Sequence, residues 1–167
     1  MKKEEMNHAE QNAKGWLETI IEQVDALEMD WKRYEELKGM SIEDMSAEEK
    51  VELAELVETA TIEEEIYENP DDVRERIEEC PLSVNVRSGW YAPGAEGDAV
   101  KPEEFEILLS TGGPALRIIG DLDGYGQPEN PRLQHQDWGT PWIEYFIEEE
   151  DHRDALQKWC ACFYFGD

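Results

Sequence analysis

Residues 16–37 read WLETIIEQVDALEMDWKRYEEL, and this stretch decides the fold of the first part of the chain. Its apolar residues recur at spacings of three and four, the pattern of a helix that packs lengthwise against a partner helix. These residues are Leu17, Ile20, Val24, Leu27, Trp31 and Tyr34. We predict one helix from Glu10 to Lys38, roughly 40 Å long. It should end at Gly39, which suits the left-handed position after a helix end.

A second helix is predicted to begin at Ser46, which forms an S-x-x-E capping box with Glu49. Its apolar residues fall on one side, and its glutamates fall on the other. The apolar side consists of Leu53, Leu56, Val57 and Ala60. The first two helices are therefore expected to form an antiparallel hairpin with acidic residues on the outside.

The pattern changes near the end of the second helix. Thr61 and Glu64 could form another capping box, so we expect a kink or restart between Thr59 and Thr61. Asn69 followed by Pro70 is typical of a helix start, because proline is tolerated at the first helical position. A third, short helix is predicted there.

From residue 82 onward, alternating apolar and polar residues predict strands. Short turns between the strands favour an antiparallel meander. A closing helix from Asp151 to about Phe165 should cover the apolar face of the sheet, helped by the short third helix. The predicted strands are residues 82–90, 105–109, 116–122 with a bulge at Gly120, and 132–138.

The predicted fold class is therefore α+β. Residues 1–80 are expected to form an acidic helical hairpin plus the short linking helix. Residues 81–167 are expected to form an antiparallel sheet of about four strands with a C-terminal helix.

The net charge restricts the kinds of partner. The chain has 42 acidic and 15 basic residues, a formal charge of −27, and yet 40% of its residues are hydrophobic and six are tryptophans. That apolar content argues against acidic disorder. The charge disfavours direct binding to nucleic acid or to anionic membranes, and it favours basic proteins or cations. In the alternative interpretation, the acidity only confers solubility or reflects a high-salt cytoplasm.

The three cysteines cannot all pair within the chain, and the start of the sequence lacks an apolar signal segment. We therefore expect a protein of the reducing cytoplasm. No stretch approaches the ~20 apolar residues that a membrane helix needs.

The acidic helices have the charge density expected of a nucleic-acid mimic. Duplex DNA carries roughly 24 charges over 40 Å, and residues 1–80 carry 26 carboxylates. Nine carboxylates are predicted to contact a basic partner, and two tryptophans are a candidate second patch. These residues are Glu18, Glu22, Asp25, Glu28, Glu35, Glu36, Glu48, Glu52, Glu55, Trp138 and Trp142. The tryptophans could equally form an aromatic corner that stabilises the fold.

Other chemistries have weaker support. His152, Cys160 and Cys162 lack the spacing of a zinc site, because alternate residues of a helix point about 200° apart. His135 and Asp137 would share one face of a strand and could form an acid–base pair, although a structural hydrogen-bond network explains them as well. We predict no metal, no cofactor and no enzymatic activity.

The second half of the chain carries the blocks LSVNVRSGWYAPG, PEEFEILLSTGGPALRI, QDWGTPWIEYF and FYFGD. These blocks resemble those of a family of small, acidic, uncharacterised proteins from plasmids, integrative elements and phages. The resemblance covers residues 81–167 and implies a mobile-element setting. In that setting an acidic protein can occupy the DNA- or RNA-binding surface of a host defence protein, such as a restriction enzyme or a CRISPR complex. The rival hypothesis is an assembly module in which the apolar seam of the first helix joins two copies as a homodimer.

Overall fold

The computed structural model describes residues 7–166. It confirms an α+β fold with an N-terminal helix, an antiparallel sheet and a C-terminal helix. No helix among these residues has the length and apolar character needed to cross a bilayer.

The first helical segment is two helices rather than one. Helix α1 spans His8–Glu28 and begins where the side chain of Asn7 accepts the amide of Glu10. Helix α2 spans Trp31–Lys38, and the side chain of Asp30 caps it by accepting the amide of Arg33 at 3.0 Å. The predicted single helix is wrong because Asp30 offers the backbone a helix start at this point.

The end of α2 lies where it was predicted, but its conformation differs. Gly39 follows the last helical residue with φ −76° and ψ −12°, which is right-handed. The predicted left-handed position is therefore wrong. A short 3₁₀ turn, Ile42–Asp44, then leads to helix α3, which spans Ala47–Thr59.

The capping box at the start of α3 is confirmed. The amide of Glu49 donates to Ser46 Oγ at 3.1 Å, and the amide of Ser46 donates to Glu49 Oε2 at 2.8 Å. We expect Ser46→Ala to lower the free energy of unfolding by about 1 kcal/mol, measured by urea unfolding, because one amide loses its acceptor. Ser41→Ala is the matched control, since the Ser41 side chain caps nothing. An equal loss in both variants would contradict the assignment.

The predicted hairpin of the first two helices is formed only by the second part of the predicted first helix, which is α2. Helix α3 packs mainly on α2, whereas α1 packs on the sheet and on other helices. The seam residues Leu17, Ile20 and Val24 are accordingly buried in the main hydrophobic core of the chain itself. A homodimer through this seam would have to displace that core.

A tight β-hairpin stands where the kink was expected. Strands β1, Thr61–Ile62, and β2, Glu65–Ile66, are joined by Glu63 and Glu64, whose φ angles are 51° and 67°. Two consecutive positive φ values are typical of a type I′ turn. The predicted second capping box is therefore wrong, and the Thr61 hydroxyl instead donates to the carbonyl of Val57.

Helix α4 spans Pro70–Glu79 and confirms the predicted linking helix. The side chain of Asn69 accepts the amide of Asp72 at 2.9 Å, and proline occupies the first turn. Val73 and Ile77 are fully buried. This helix packs on α1, and Val73 and Ile77 belong to the same hydrophobic core as the buried residues of the sheet.

The sheet is the predicted antiparallel meander, with five strands rather than about four. Each strand pairs with the next in the sequence, and the register shifts at Gly120, as expected of a bulge there. A short 3₁₀ turn, Gly97–Val100, precedes the second strand of this sheet. The five strands are β3, Ser83–Ser88; β4, Pro102–Ser110; β5, Ala115–Leu122; β6, Pro128–Gln136; and β7, Ile143–Glu144.

Helix α5, Glu150–Cys160, covers one face of the sheet together with α1. The two helices meet at Trp159, which is fully buried and donates its indole N–H to Gln23 Oε1 at 2.8 Å. Gln23 in turn donates to Cys80 Sγ at 3.4 Å, at the end of α4. This buried contact therefore joins α1, α4 and α5.

Candidate functional site

The acidic residues of α1 form a line on its outer surface. Glu18, Glu22 and Asp25 are exposed, and they are spaced four and three residues apart, which places them on one side of the helix. None of them forms an ion pair with a residue in the described range 7–166. Because α1 has 21 residues, this surface belongs to a helix about 32 Å long.

Among the described residues 7–166, Glu28 at the end of α1 is the one predicted contact residue of this helix that has a counter-ion. Lys158 of α5 approaches Glu28 Oε1 at 2.9 Å and Asp154 at 3.1 Å. These carboxylates raise the pKa of Lys158, chiefly through their hydrogen bonds. Glu28 therefore ties α1 to α5, in addition to lying at the edge of the acidic surface.

Arg33 organises the acidic residues between α2 and α3. Its Nε and Nη2 donate to the two carboxylate oxygens of Glu52, both at 2.9 Å, which is a bidentate pair. Glu36 lies 3.6 Å and Glu49 4.0 Å from the same guanidinium. Glu52 of α3 thus joins the two helices through Arg33 of α2. Glu36, which lies on α2 itself, approaches the same guanidinium.

The hydrogen bonds from Arg33 lower the pKa of Glu52 from its ordinary value of 4.5. A lowered pKa in the folded state stabilises the protein above pH about 4.5, and this contribution is lost as the pH falls through the folded-state pKa. We expect Glu52→Gln to lower the melting temperature at pH 7, and this deficit to shrink below pH 4.5.

Thermal unfolding followed by circular dichroism across this pH range measures that deficit. Glu55→Gln is the matched control, because Glu55 forms no ion pair with a described residue and its loss removes the same charge. A deficit for Glu52→Gln that stays constant down to pH about 3 would contradict the role of the Arg33 pair.

The remaining predicted carboxylates are free of ion pairs within residues 7–166. Glu35 of α2 and Glu48 and Glu55 of α3 are exposed. With the three carboxylates of α1, they leave six of the nine predicted residues without a described counter-ion. We call these six the open carboxylates: Glu18, Glu22, Asp25, Glu35, Glu48 and Glu55.

The break between α1 and α2 changes the shape of the acidic surface. The expected straight ridge of roughly 40 Å does not exist, because Met29 is extended between the two helices. Three exposed glutamates outside the predicted set, Glu63, Glu64 and Glu65, add charge at the β1–β2 hairpin. The three consecutive glutamates are visible in the sequence, but we did not predict that they form an exposed hairpin turn.

The two tryptophans of the predicted second patch lie in different surroundings. Trp138 is 81% exposed, and its indole lies so close to Gly113 that a Cβ there would come within 1.9 Å of the ring. Trp142 is half-buried, and the guanidinium of Arg117 stacks on it at 4.2 Å from the ring centre. Trp138 is therefore the side chain of this pair that is available to a partner.

The face of the sheet away from the helices carries mixed charge. Three of the seven arginines of the chain, Arg87, Arg117 and Arg132, lie on it. Arg87 pairs with Glu104, and Arg117 pairs with Glu106 at 2.8 Å. This face therefore combines both signs of charge, unlike the line Glu18, Glu22 and Asp25 on α1.

The residues considered for catalysis and metal binding are placed as follows. His135 is only 3% exposed, whereas Asp137 lies beyond the end of β6 and accepts the amide of Trp138 at 2.9 Å. His152 approaches Glu149 at 3.2 Å, and burial raises the pKa of the Cys160 thiol. Within residues 7–166, no three His, Cys, Asp or Glu side chains are grouped so that they could hold a metal ion.

Comparisons with known proteins provide no relative from which a role could be transferred. No protein-family model matches the chain, and neither a curated protein nor a solved structure gives a significant match. The resemblance of residues 81–167 to the mobile-element family stays a prediction.

Proposed function

We propose that this protein is a non-enzymatic inhibitor that imitates nucleic acid and occupies the DNA- or RNA-binding surface of a basic host defence protein, such as a restriction enzyme or a CRISPR complex. The observation that carries the proposal is the set of six open carboxylates on α1, α2 and α3. Each is exposed and has no counter-ion in the described part of the chain.

Charge supports this function in preference to a solvated helix surface. A surface helix usually mixes charges of both signs, and opposite charges then pair within the protein. Here the line Glu18, Glu22 and Asp25 stays unpaired within residues 7–166, in a chain of net charge −27. The basic groups of a groove that normally binds phosphates would attract these unpaired carboxylates, and salt should screen that attraction.

The aromatic side chain of Trp138 is a second candidate contact. It is 81% exposed next to the turn that contains Gly113. Exposed tryptophans are frequent anchors at protein interfaces, because they bury a large area at little entropic cost. We assign it a supporting role, since the sheet face beside it carries paired arginines and glutamates.

Affinity capture tests the proposal. The tagged protein is mixed with lysate of bacteria that contain restriction and CRISPR systems, at about 0.05 M and about 0.5 M salt. The expected result is a basic nucleic-acid-binding defence protein that is retained at low salt and released at high salt. Capture of no basic protein would contradict the proposal.

The second candidate function is an assembly module of a mobile element, in which the acidity serves solubility only. The observation that favours it is the edge of the sheet at β3, where apolar side chains are exposed. When an untagged copy of this chain is added to the lysate, recovery of that copy and of no basic protein at both salt concentrations would replace the inhibitor with this alternative.

A further inference from the structure

Strand β3 is an edge strand whose apolar side chains lack a cover. Val84 is opposite Ile107 and Val86 is opposite Phe105, so both valines face the same side of the sheet as the hydrophobic core. Ile107 and Phe105 are 0% and 3% exposed, whereas Val84 and Val86 are 37% and 43% exposed. The buried core therefore ends at β4, and the apolar side chains of β3 extend the same face of the sheet into solvent.

The position of the helices explains this uncovered strip. Helices α1 and α5 lie over β5 and β6, away from the edge of the sheet that β3 forms. Leu82, just before β3, is also exposed, at 61%. The strip defined by Leu82, Val84 and Val86 thus borders an edge that pairs with no other strand of residues 7–166.

Natural edge strands are blocked by prolines, inward-pointing charges, bulges or covering loops. In β3 the register shifts only between Arg87 and Ser88, at the end of the strand, and residues 83–87 pair regularly with β4. Ser83–Ser88 contains no proline and no carboxylate, and its single charged residue, Arg87, pairs with Glu104 of the neighbouring strand. The edge is therefore able to accept another strand.

We propose that β3 pairs antiparallel with β3 of a second copy of this chain, which joins the two sheets into one. The charge distribution favours this occupant. Residues 80–95 contain no aspartate or glutamate, although the whole chain has a net charge of −27. A basic strand would find no carboxylate on β3, and an acidic strand would find only Arg87, which already pairs with Glu104. A neutral, alternating strand fits, and β3 is one.

The sequence of β3 is complementary to itself. If the two-fold axis passes beside Asn85, then Val84 lies opposite Val86 of the second copy, and Ser83 lies opposite its Arg87. Valine pairs across strands are favourable, and no like charges meet directly. The same patch serves both copies, as a two-fold interface requires.

Salt separates this interface from the proposed inhibitor function. Two copies of charge −27 repel each other at long range, so salt should strengthen the dimer by screening that repulsion. Binding of the acidic helices to a basic partner should weaken with salt. The two proposals therefore fail independently.

Sedimentation velocity of the full chain at about 0.1 M and about 0.5 M sodium chloride tests the dimer. The wild type is expected to form a dimer that is tighter at the higher salt. The variant Val84→Lys/Val86→Lys should weaken self-association by about 100-fold, because it places two inward charges on each edge. Val51→Lys is the matched control, since Val51 is 59% exposed on α3, and it should dimerise like the wild type.

Folding is checked by the urea midpoint of dilute protein, which should be similar for the β3 variant and the Val51→Lys control. If the lysine variant unfolds, the sedimentation measurement is repeated with Val84→Thr/Val86→Thr. This variant keeps β-branched side chains and should weaken the dimer by about 10-fold. A monomeric wild type at about 100 µM in the higher salt would overturn the proposal. So would a dimer that a folded β3 variant leaves intact.

Discussion

Neutralising the line on α1 with Glu18→Gln, Glu22→Gln and Asp25→Asn is expected to weaken binding to the captured partner. Exposed ion pairs contribute about 0.2–1 kcal/mol each, so three should contribute about 0.6–3 kcal/mol, or about 3- to 150-fold in affinity. The dependence of log affinity on log salt should also become less steep, since three fewer charges take part in the attraction that salt screens. Binding isotherms at several salt concentrations measure both quantities.

A matched variant distinguishes an effect of where the three charges are removed from an effect of the change in total charge. Glu103→Gln, Glu129→Gln and Glu144→Gln remove three exposed carboxylates that form no ion pair within residues 7–166. Both variants have the same net charge, but the second set lies in the sheet half of the chain. Equal loss of affinity in the two variants would show that total charge, rather than the α1 line, determines binding.

Replacing Trp159 with alanine is expected to lower the free energy of unfolding by about 3–5 kcal/mol. The side chain is fully buried between α1 and α5, packs on Phe163 at 4.8 Å between ring centres, and donates to Gln23. Its removal leaves a cavity and a buried amide oxygen without its donor. Because domains are stable by only about 5–15 kcal/mol, a large part of the structure's stability would be lost.

Urea unfolding of three tryptophan variants measures this contribution. Trp159→Phe keeps a ring but removes the N–H, so it should cost less, about 1–3 kcal/mol for the unpaired Gln23 oxygen. Trp138→Ala is the control, because that side chain is 81% exposed and should change stability by about 0.5 kcal/mol or less. A loss below 1 kcal/mol for Trp159→Ala would contradict the described core.

Local signals in the sequence predicted much of the fold. The caps at Ser46 and Asn69 act within three residues, and the structure forms both. The meander was predictable because alternating apolar residues are separated by short turns. The break at Asp30 was missed, since the spacing of three and four continues from Leu27 to Trp31 across it.

Contacts between distant residues could not be predicted in the same way. The apolar spacing of α1 indicates a buried face, but it does not say whether a helix or a sheet covers that face. For the same reason the alternation of Val84 and Val86 predicted a strand without showing that the helices would leave it exposed.

The candidate site was predictable in one respect only. Helical periodicity placed Glu18, Glu22 and Asp25 on the outside, and these residues are exposed. The ion pairs of the other predicted residues were beyond reach of the sequence pattern, because Glu28, for example, pairs with Lys158, which is 130 residues away.

Competition with DNA shows whether this chain occupies the nucleic-acid-binding surface of its partner. The captured defence protein is titrated with this chain at increasing concentrations of duplex DNA and at constant salt. Imitation of nucleic acid predicts that the apparent dissociation constant rises in proportion to the DNA concentration, because one surface cannot hold both ligands. A dissociation constant that stays unchanged in saturating DNA would contradict the account.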